Sequence, residues 1–347
     1  MTTPTSIELV LDCNSLSAQF RTASGPIQVL HDISLTLKPC TALGIVGESG
    51  AGKSMLIKTI MGLGPAGMQV SGHISLAGTD LSSMNERRRR QFLGAKVGMV
   101  FQNPMTSLNP FVRIGRQIEE ASRYYLKLGK ADAKALAVDL LGSVGIPDAT
   151  DCYDHFPHQF SGGMKQRIMI ATALACQPEL LIADEATTAL DVTVQKGILD
   201  LLQILQSKRR MSMILVTHNL GIVAGRTDEI LVLYGGHVVE HGPTDVVFAN
   251  PRHRYTEALL GAMPRIDQPA HTTLRTIPGR PPDPANPAPG CPFAPRCPAA
   301  EGRCHSSMPP MTVSGDGAHR FACYVPVSTH PSDFRPMAPA VATGAEQ

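Results

Sequence analysis

The segment Gly47-Glu48-Ser49-Gly50-Ala51-Gly52-Lys53-Ser54 constrains this chain more than any other, because it satisfies the phosphate-loop pattern G-x-x-x-x-G-K-[ST] at every fixed position. Thr41 to Val46 ahead of it read as a short buried strand, and Met55 to Met61 behind it as the first turns of a helix. Strand, glycine loop and helix in that order call for an α/β core. The glycines let backbone N–H groups turn toward phosphate oxygens, with the positive end of the helix dipole behind them. Lys53 is placed to reach the β- and γ-phosphates of a nucleotide, and the Ser54 hydroxyl to bind Mg²⁺. The plainer reading, a glycine turn that only joins a strand to a helix, does not require the Lys-Ser pair.

Further along, Glu179-Leu-Leu-Ile-Ala-Asp184-Glu185 is an apolar run ending in two acids, as expected of a central parallel strand that delivers carboxylates at its C-terminal edge. Asp184 would hold the Mg²⁺ shell. Glu185 is the better placed of the two to polarise an attacking water, since the neighbouring carboxylate is spent on the metal.

With these residues in hand, the chain resembles the ATP-binding subunits of ABC transporters over roughly residues 7 to 265. Ser161-Gly162-Gly163, followed by Lys165-Gln166-Arg167, is similar to the family's signature segment, and Ala189-Leu190-Asp191 to the loop after the catalytic acid. Gln102, in Val-Phe-Gln102-Asn-Pro, resembles the glutamine loop, and His218, after Met213 to Thr217, the switch histidine. Met164 stands where the commonest pattern has glutamine, a variant that points to the peptide-transporter branch. The resemblance implies that Ser161 to Gly163 close over ATP held by a second subunit, so that hydrolysis requires a dimer of nucleotide domains. It implies that Gln102 offers an oxygen to Mg²⁺ and that His218 contacts the γ-phosphate or holds the water near Glu185. Phe20 lies where the family places its adenine-stacking aromatic; an ordinary strand residue is the alternative.

The predicted architecture is an α/β ABC-type phosphate-loop ATPase: an antiparallel β-subdomain, a parallel-sheet core, a helical subdomain and a small cysteine-containing C-terminal extension. Residues 7 to 40 alternate apolar and polar in short runs, with Gly25-Pro26 as a turn. The helical subdomain spans about 103–175, where Ile114 to Leu128 and Ala131 to Val144 have helical spacing between breaks at Asn103-Pro104 and Ile146-Pro147. Arg87 to Arg90 read as a solvated helix face, and Val194 to Leu205 as an amphipathic helix. On this reading the ATPase domain is 1–265, the extension 266–330, and 331–347 a disordered tail.

Composition narrows the function classes. A formal net charge of +2 over 347 residues gives no case for nucleic-acid binding. No apolar stretch approaches the length of a membrane span, and Met1 to Ser6 lack the pattern of a signal peptide. The expectation is a peripheral protein at the cytoplasmic face of the inner membrane. The resemblance implies two integral-membrane permease subunits, a second ATPase subunit forming a heterodimer, and an extracytoplasmic solute-binding protein. The implied cargo is di- and oligopeptides, with nickel as the alternative; a non-transport ABC ATPase acting on nucleic acid or ribosomes would need a coiled coil, a second cassette or a basic stripe.

From Gly279 the composition shifts to a proline-rich linker, followed by Cys291, Cys297, Cys304 and Cys323 at spacing C-x₅-C-x₆-C-x₁₈-C. The other four of the chain's eight cysteines, Cys13, Cys40, Cys152 and Cys176, are scattered through the ATPase domain. A proline-rich segment poor in large apolar residues needs some staple, and a metal site is one. Iron–sulfur and zinc both accept four thiolates, and spacing does not choose between them. Ile277-Pro-Gly-Arg-Pro-Pro with Gly290-Cys-Pro-Phe-Ala-Pro-Arg-Cys297-Pro is similar to the C-terminal extension of oligopeptide and dipeptide importer ATPases. That resemblance implies a [4Fe–4S] cluster, with zinc through these cysteines or His305 or His319, or no metal, left open.

Overall fold

The structure, a computed structural model, describes residues 9–22, 25–103, 107–186, 191–264, 275–314 and 317–327. It divides into two compact units, Met1–Leu43 with Lys53–Val216 and Gly44–Gly52 with Thr217–Gln347.

The first unit holds an antiparallel sheet built on β1 (Leu11–Thr22) and β2 (Gly25–Leu37). Alternation buries Leu11 and Cys13, then changes phase and buries Leu16 and Ala18. The cause is a register shift between Cys13 and Leu16, where Ser15 takes φ 49°. Gly25 and Pro26, expected as a turn, pair with Thr22 and Arg21 inside the ladder instead. β3 (Ala42–Val46) begins in the first unit and ends in the second. β4 (Met68–Leu76) and β5 (Thr79–Asp80) complete the antiparallel sheet in the order β2-β1-β4-β5.

The parallel strands follow the predicted logic of continuous apolar runs. β6 (Val97–Val100) pairs in parallel with β7 (Leu180–Asp184), and β7 with β8 (Ser212–Thr217). Leu180 to Ala183 are wholly buried, so β7 presents polarity only where it ends, at Asp184. Helices Ile114–Tyr125, Lys130–Ser143 and Gly162–Ala173 form the helical part. The first stops three residues before the expected Leu128, and Lys127 takes φ 58°. Helix Val192–Arg209 is longer than Val194 to Leu205 because Asp191 caps it, accepting from the N–H groups of Thr193 and Val194 at 3.1 and 2.9 Å. The arginine run lies in helix Glu86–Lys96 and is not uniformly solvated. Arg89 turns inward and donates to the carbonyls of Thr59 and Ile60, the last turn of helix Lys53–Met61.

In the second unit, β9 (Glu229–Tyr234) and β10 (His237–Pro243) make a hairpin, extended by β11 (Thr312–Val313) and β12 (Arg320–Phe321) in the order β11-β12-β10-β9. Among its described residues the distal segment shares a core with the hairpin. Phe293, 1% exposed, packs against the rings of Tyr234 and Tyr255 at centroid distances of 5.4 and 5.3 Å. Wholly buried Glu240 accepts from the backbone N–H groups of Arg252 and His253 at 2.6 and 3.0 Å and bonds His319 Nε2 at 2.7 Å. Such a carboxylate is tolerable in the interior only with these partners.

This packing corrects the metal expectation. Among the described residues, no group of three or more His, Cys, Asp or Glu could hold a metal ion, so neither an iron–sulfur cluster nor zinc at Cys291, Cys297, Cys304 and Cys323 is supported. His319 is engaged by Glu240. Cys304 Sγ accepts from the Glu301 N–H at 3.5 Å. The staple inferred from composition is aromatic packing and polar bonding to the rest of the unit. Among the described residues, no helix is long and apolar enough to cross a membrane. Pro104, Ala189, Leu190, Met1 to Ser6 and the 331–347 tail lie outside the described residues.

Candidate active site

In the first unit, the chain enters helix Lys53–Met61 directly from the glycine loop, with Lys53 buried and Ser54 exposed at its first two positions. The Ser54 hydroxyl donates to Asp184 Oδ1 at 3.3 Å, joining the start of that helix to the end of β7. Burial raises the Asp184 carboxyl above the usual carboxylate range; Glu185 adds to the rise, while the Ser54 hydroxyl, Lys53 and Lys58 oppose it. A half-buried acid beside a second acid is a place where a cation is favoured. The nearby donors are hydroxyl and carboxylate oxygens, the hard ligands Mg²⁺ prefers, so these residues fit that ion.

Glu185 adopts φ 48°, a left-handed conformation uncommon for a residue with a side chain. Its N–H donates to the Val216 carbonyl at 3.0 Å, and its Oε2 accepts from Gln102 Nε2 at 2.8 Å. Gln102, singled out by the family resemblance, and Glu185, singled out at the end of an apolar run, have their side chains in contact. The glutamine meets Glu185 through its nitrogen, which leaves the amide oxygen as the end that could face a cation.

Ser161 caps helix Gly162–Ala173, its hydroxyl accepting from the Met164 N–H at 3.4 Å. The helix therefore starts at Gly162, and Ser161 and Gly162 are exposed. One turn later a contact appears that motif reading did not supply: Gln166, 1% exposed, donates from Nε2 to the carbonyl of Ala186, the residue after Glu185. Its signal in the sequence is a polar residue four positions before Ile170, on the buried face of that helix. Phe20 lies on β1, paired with Ile27 on β2 and Met68 on β4, and is partly exposed.

The second unit carries the glycine loop itself. Gly47 takes φ 153°, and a Cβ there would stand 2.2 Å from the Leu233 carbonyl oxygen, so only glycine fits. Gly50, with φ 80°, turns the exposed tip beside Ser49. The loop is also tied down: Ala51 N–H donates to the Glu48 carbonyl at 3.1 Å, and Gly236 N–H to the Ala51 carbonyl at 3.0 Å. Glu48 N–H donates to Tyr255 Oη at 2.7 Å, and its carboxylate meets Arg296, two partners that motif spacing could not reveal. His218 is exposed immediately after β8, where the chain turns through Asn219, whose side chain caps Gly221 N–H at 2.9 Å.

Comparison with known proteins places the chain in one family. Residues 30–188 match the family model described as ABC transporter, and residues 239–304 the one described as oligopeptide/dipeptide transporter, C-terminal region. The chain is 44% identical to the dipeptide transport ATP-binding protein DppD of Escherichia coli, over 92% of this chain and 97% of that protein. It is 42% identical to the oligopeptide transport ATP-binding protein OppD of Salmonella typhimurium, over 93% and 96%. Among solved structures it resembles cbiO1 of Clostridium perfringens, part of the ABC transporter complex cbiONQ, with a TM-score of 0.60, 27% identity, and 70% of this chain and 91% of that one covered.

Proposed function

The chain belongs to the ABC transporter ATPase family, in the branch that carries the oligopeptide/dipeptide transporter C-terminal region, and from that premise we propose that it hydrolyses ATP to energise peptide uptake. The observation that carries this reading is the presence of both regions in one chain, at residues 30–188 and 239–304. The relatives named for dipeptide and oligopeptide transport support peptides over nickel as cargo.

The residues divide the work as follows. N–H groups of Gly47 to Gly52 and the Lys53 ammonium bind the phosphates, and Phe20 stacks on the adenine. Ser54, Asp184 and the Gln102 oxygen would hold Mg²⁺, which would supply charge neutralisation at the nucleotide phosphates. Glu185, held by Gln102 and by its own backbone bond to Val216, accepts a proton from the attacking water. His218 donates to the γ-phosphate. Ser161 to Gly163 serve the nucleotide of a second ATPase subunit, so hydrolysis requires two chains facing one another. The second chain is a different one, and the pair docks on two integral-membrane permease subunits at the cytoplasmic face of the membrane, supplied by an extracytoplasmic solute-binding protein. The ATPase domain ends near residue 265 and the extension follows it.

Reconstitution of the chain with its permease subunits in liposomes tests the assignment. ATP-dependent accumulation of labelled di- and oligopeptides is the expected result. Accumulation of Ni²⁺ without peptides would overturn the cargo, and ATP hydrolysis that no permease stimulates would overturn the transport role.

A further inference from the structure

Arg296 sits between two cysteines, in Cys291-Pro-Phe-Ala-Pro-Arg296-Cys297, and its side chain is 4% exposed. A guanidinium has five N–H donors and no acceptor, so burying one requires an acceptor for each. Every donor of Arg296 has one. Nε donates to the Pro278 carbonyl at 2.8 Å and Nη2 to the Ile277 carbonyl at 3.1 Å. Nη1 donates to Tyr234 Oη at 3.0 Å, and Nη1 and Nη2 grip Glu48 Oε2 and Oε1 at 2.6 and 3.1 Å. The rings of Tyr234 and Phe293 lie 5.9 and 6.0 Å from the guanidinium carbon.

Glu48 is the second residue of the glycine loop. The phosphate-loop pattern leaves that position free, and a carboxylate there is electrostatically the wrong choice beside a polyphosphate. Two-point contact with a buried guanidinium removes the objection, because it neutralises the charge and fixes the side chain's direction. With Tyr255 Oη on its N–H, Glu48 is held at both ends by residues from beyond residue 230.

We propose that Arg296 is a positioning residue for the nucleotide: by neutralising and orienting Glu48 it sets the phosphate loop in its receptive shape, so that the C-terminal extension controls nucleotide affinity. The inference rests on Gly47 to Ser54 being the ATP site. It gives the extension a role inside the ATPase. The same guanidinium holds the carbonyls of Ile277 and Pro278, so displacement of the linker would release Glu48 as well.

The test is nucleotide titration of the purified full chain by displacement of a fluorescent ATP analogue, with steady-state ATPase kinetics of the assembled transporter in parallel. Arg296→Ala removes the guanidinium that meets the Glu48 carboxylate at two points and is expected to weaken ATP binding by about tenfold, raising KM much more than it lowers kcat. Adding Glu48→Gln to Arg296→Ala removes the carboxylate charge and is expected to recover most of that loss. Arg296→Lys keeps the charge without the fork and should fall between wild type and alanine, which serves if the alanine variant does not fold. Folded Arg296→Ala that binds ATP as wild type does would overturn the inference, as would a double variant no better than Arg296→Ala, or wild-type affinity in a lysine variant when alanine does not fold. A wild-type chain that binds no ATP would instead overturn the ATP-site reading, and this inference with it.

Discussion

The Ser54 hydroxyl donates to Asp184 Oδ1 across 3.3 Å, linking the first turn after the glycine loop to the half-buried end of an otherwise buried strand. The pair brings a hydroxyl and an acid together in a setting that disfavours the acid's charge. Burial is the main cause, and Glu185 reinforces it. The arrangement is suited to a bound cation more than to the nucleotide-free protein.

That asymmetry gives a stability prediction. A carboxyl whose pKa is raised on folding contributes stability below its unfolded value of 3.8, and this is lost as pH rises through the folded value. At neutral pH the Asp184 charge therefore opposes folding. Asp184→Asn should raise the Tm of the nucleotide-free chain by a few degrees at pH 7 and by much less near pH 4, while abolishing the further rise that Mg²⁺ and ATP give wild type. Scanning fluorimetry at both pH values checks this; a lower Tm for the nucleotide-free variant at pH 7 would contradict it.

Gln166 reaches from the helix capped by Ser161 to the carbonyl of Ala186, next to Glu185. Gln166→Ala leaves that buried carbonyl short of a partner, at a cost of about 1–3 kcal/mol. The misplacement falls beside the proposed base, so kcat should drop several-fold or more while ATP affinity stays near wild type. Equilibrium nucleotide binding to the purified chain and steady-state hydrolysis in the assembled transporter separate the two effects. A change in affinity alone would place the role of Gln166 elsewhere.

Acid should loosen the second unit first at His253. Its Nδ1 accepts from the Tyr255 N–H at 3.1 Å, and complete burial lowers its pKa from 6.5 to about 3. Depressed titration means the contribution is present above pH 6.5 and is lost as pH falls from there toward 3. His253→Gln can keep the acceptor without the titration, and should flatten the decline in stability between pH 6.5 and 4. Urea unfolding across that range measures it; parallel curves for variant and wild type would sink the assignment.

The glycine loop, the acids ending β7 and the α/β class were legible because each rests on local spacing: a fixed glycine pattern, an apolar run, a helix start. Gln102 and Glu185 were legible as separate candidates, and only the fold put them 2.8 Å apart. Arg296 was not legible, since its partner Glu48 lies 248 positions away and no periodicity links them. The flanking cysteines offered a ready chemistry for the same segment, and it proved misleading. Phe293 packs into a core shared with Tyr234 and Tyr255, so composition counted over the distal segment alone understated what holds it. The phase change in β1 was hidden as well, because one extra residue at Ser15 breaks the alternation from which strands are read.

The central claim is that this chain hydrolyses ATP with Glu185 as the base, and Glu185→Gln tests it most directly. The amide keeps the size of the side chain and can still meet Gln102, but it cannot take a proton from water. ATP binding by the purified variant should match wild type, while its hydrolysis, measured in the assembled transporter, falls by at least about 100-fold. Hydrolysis at the wild-type rate would contradict the account.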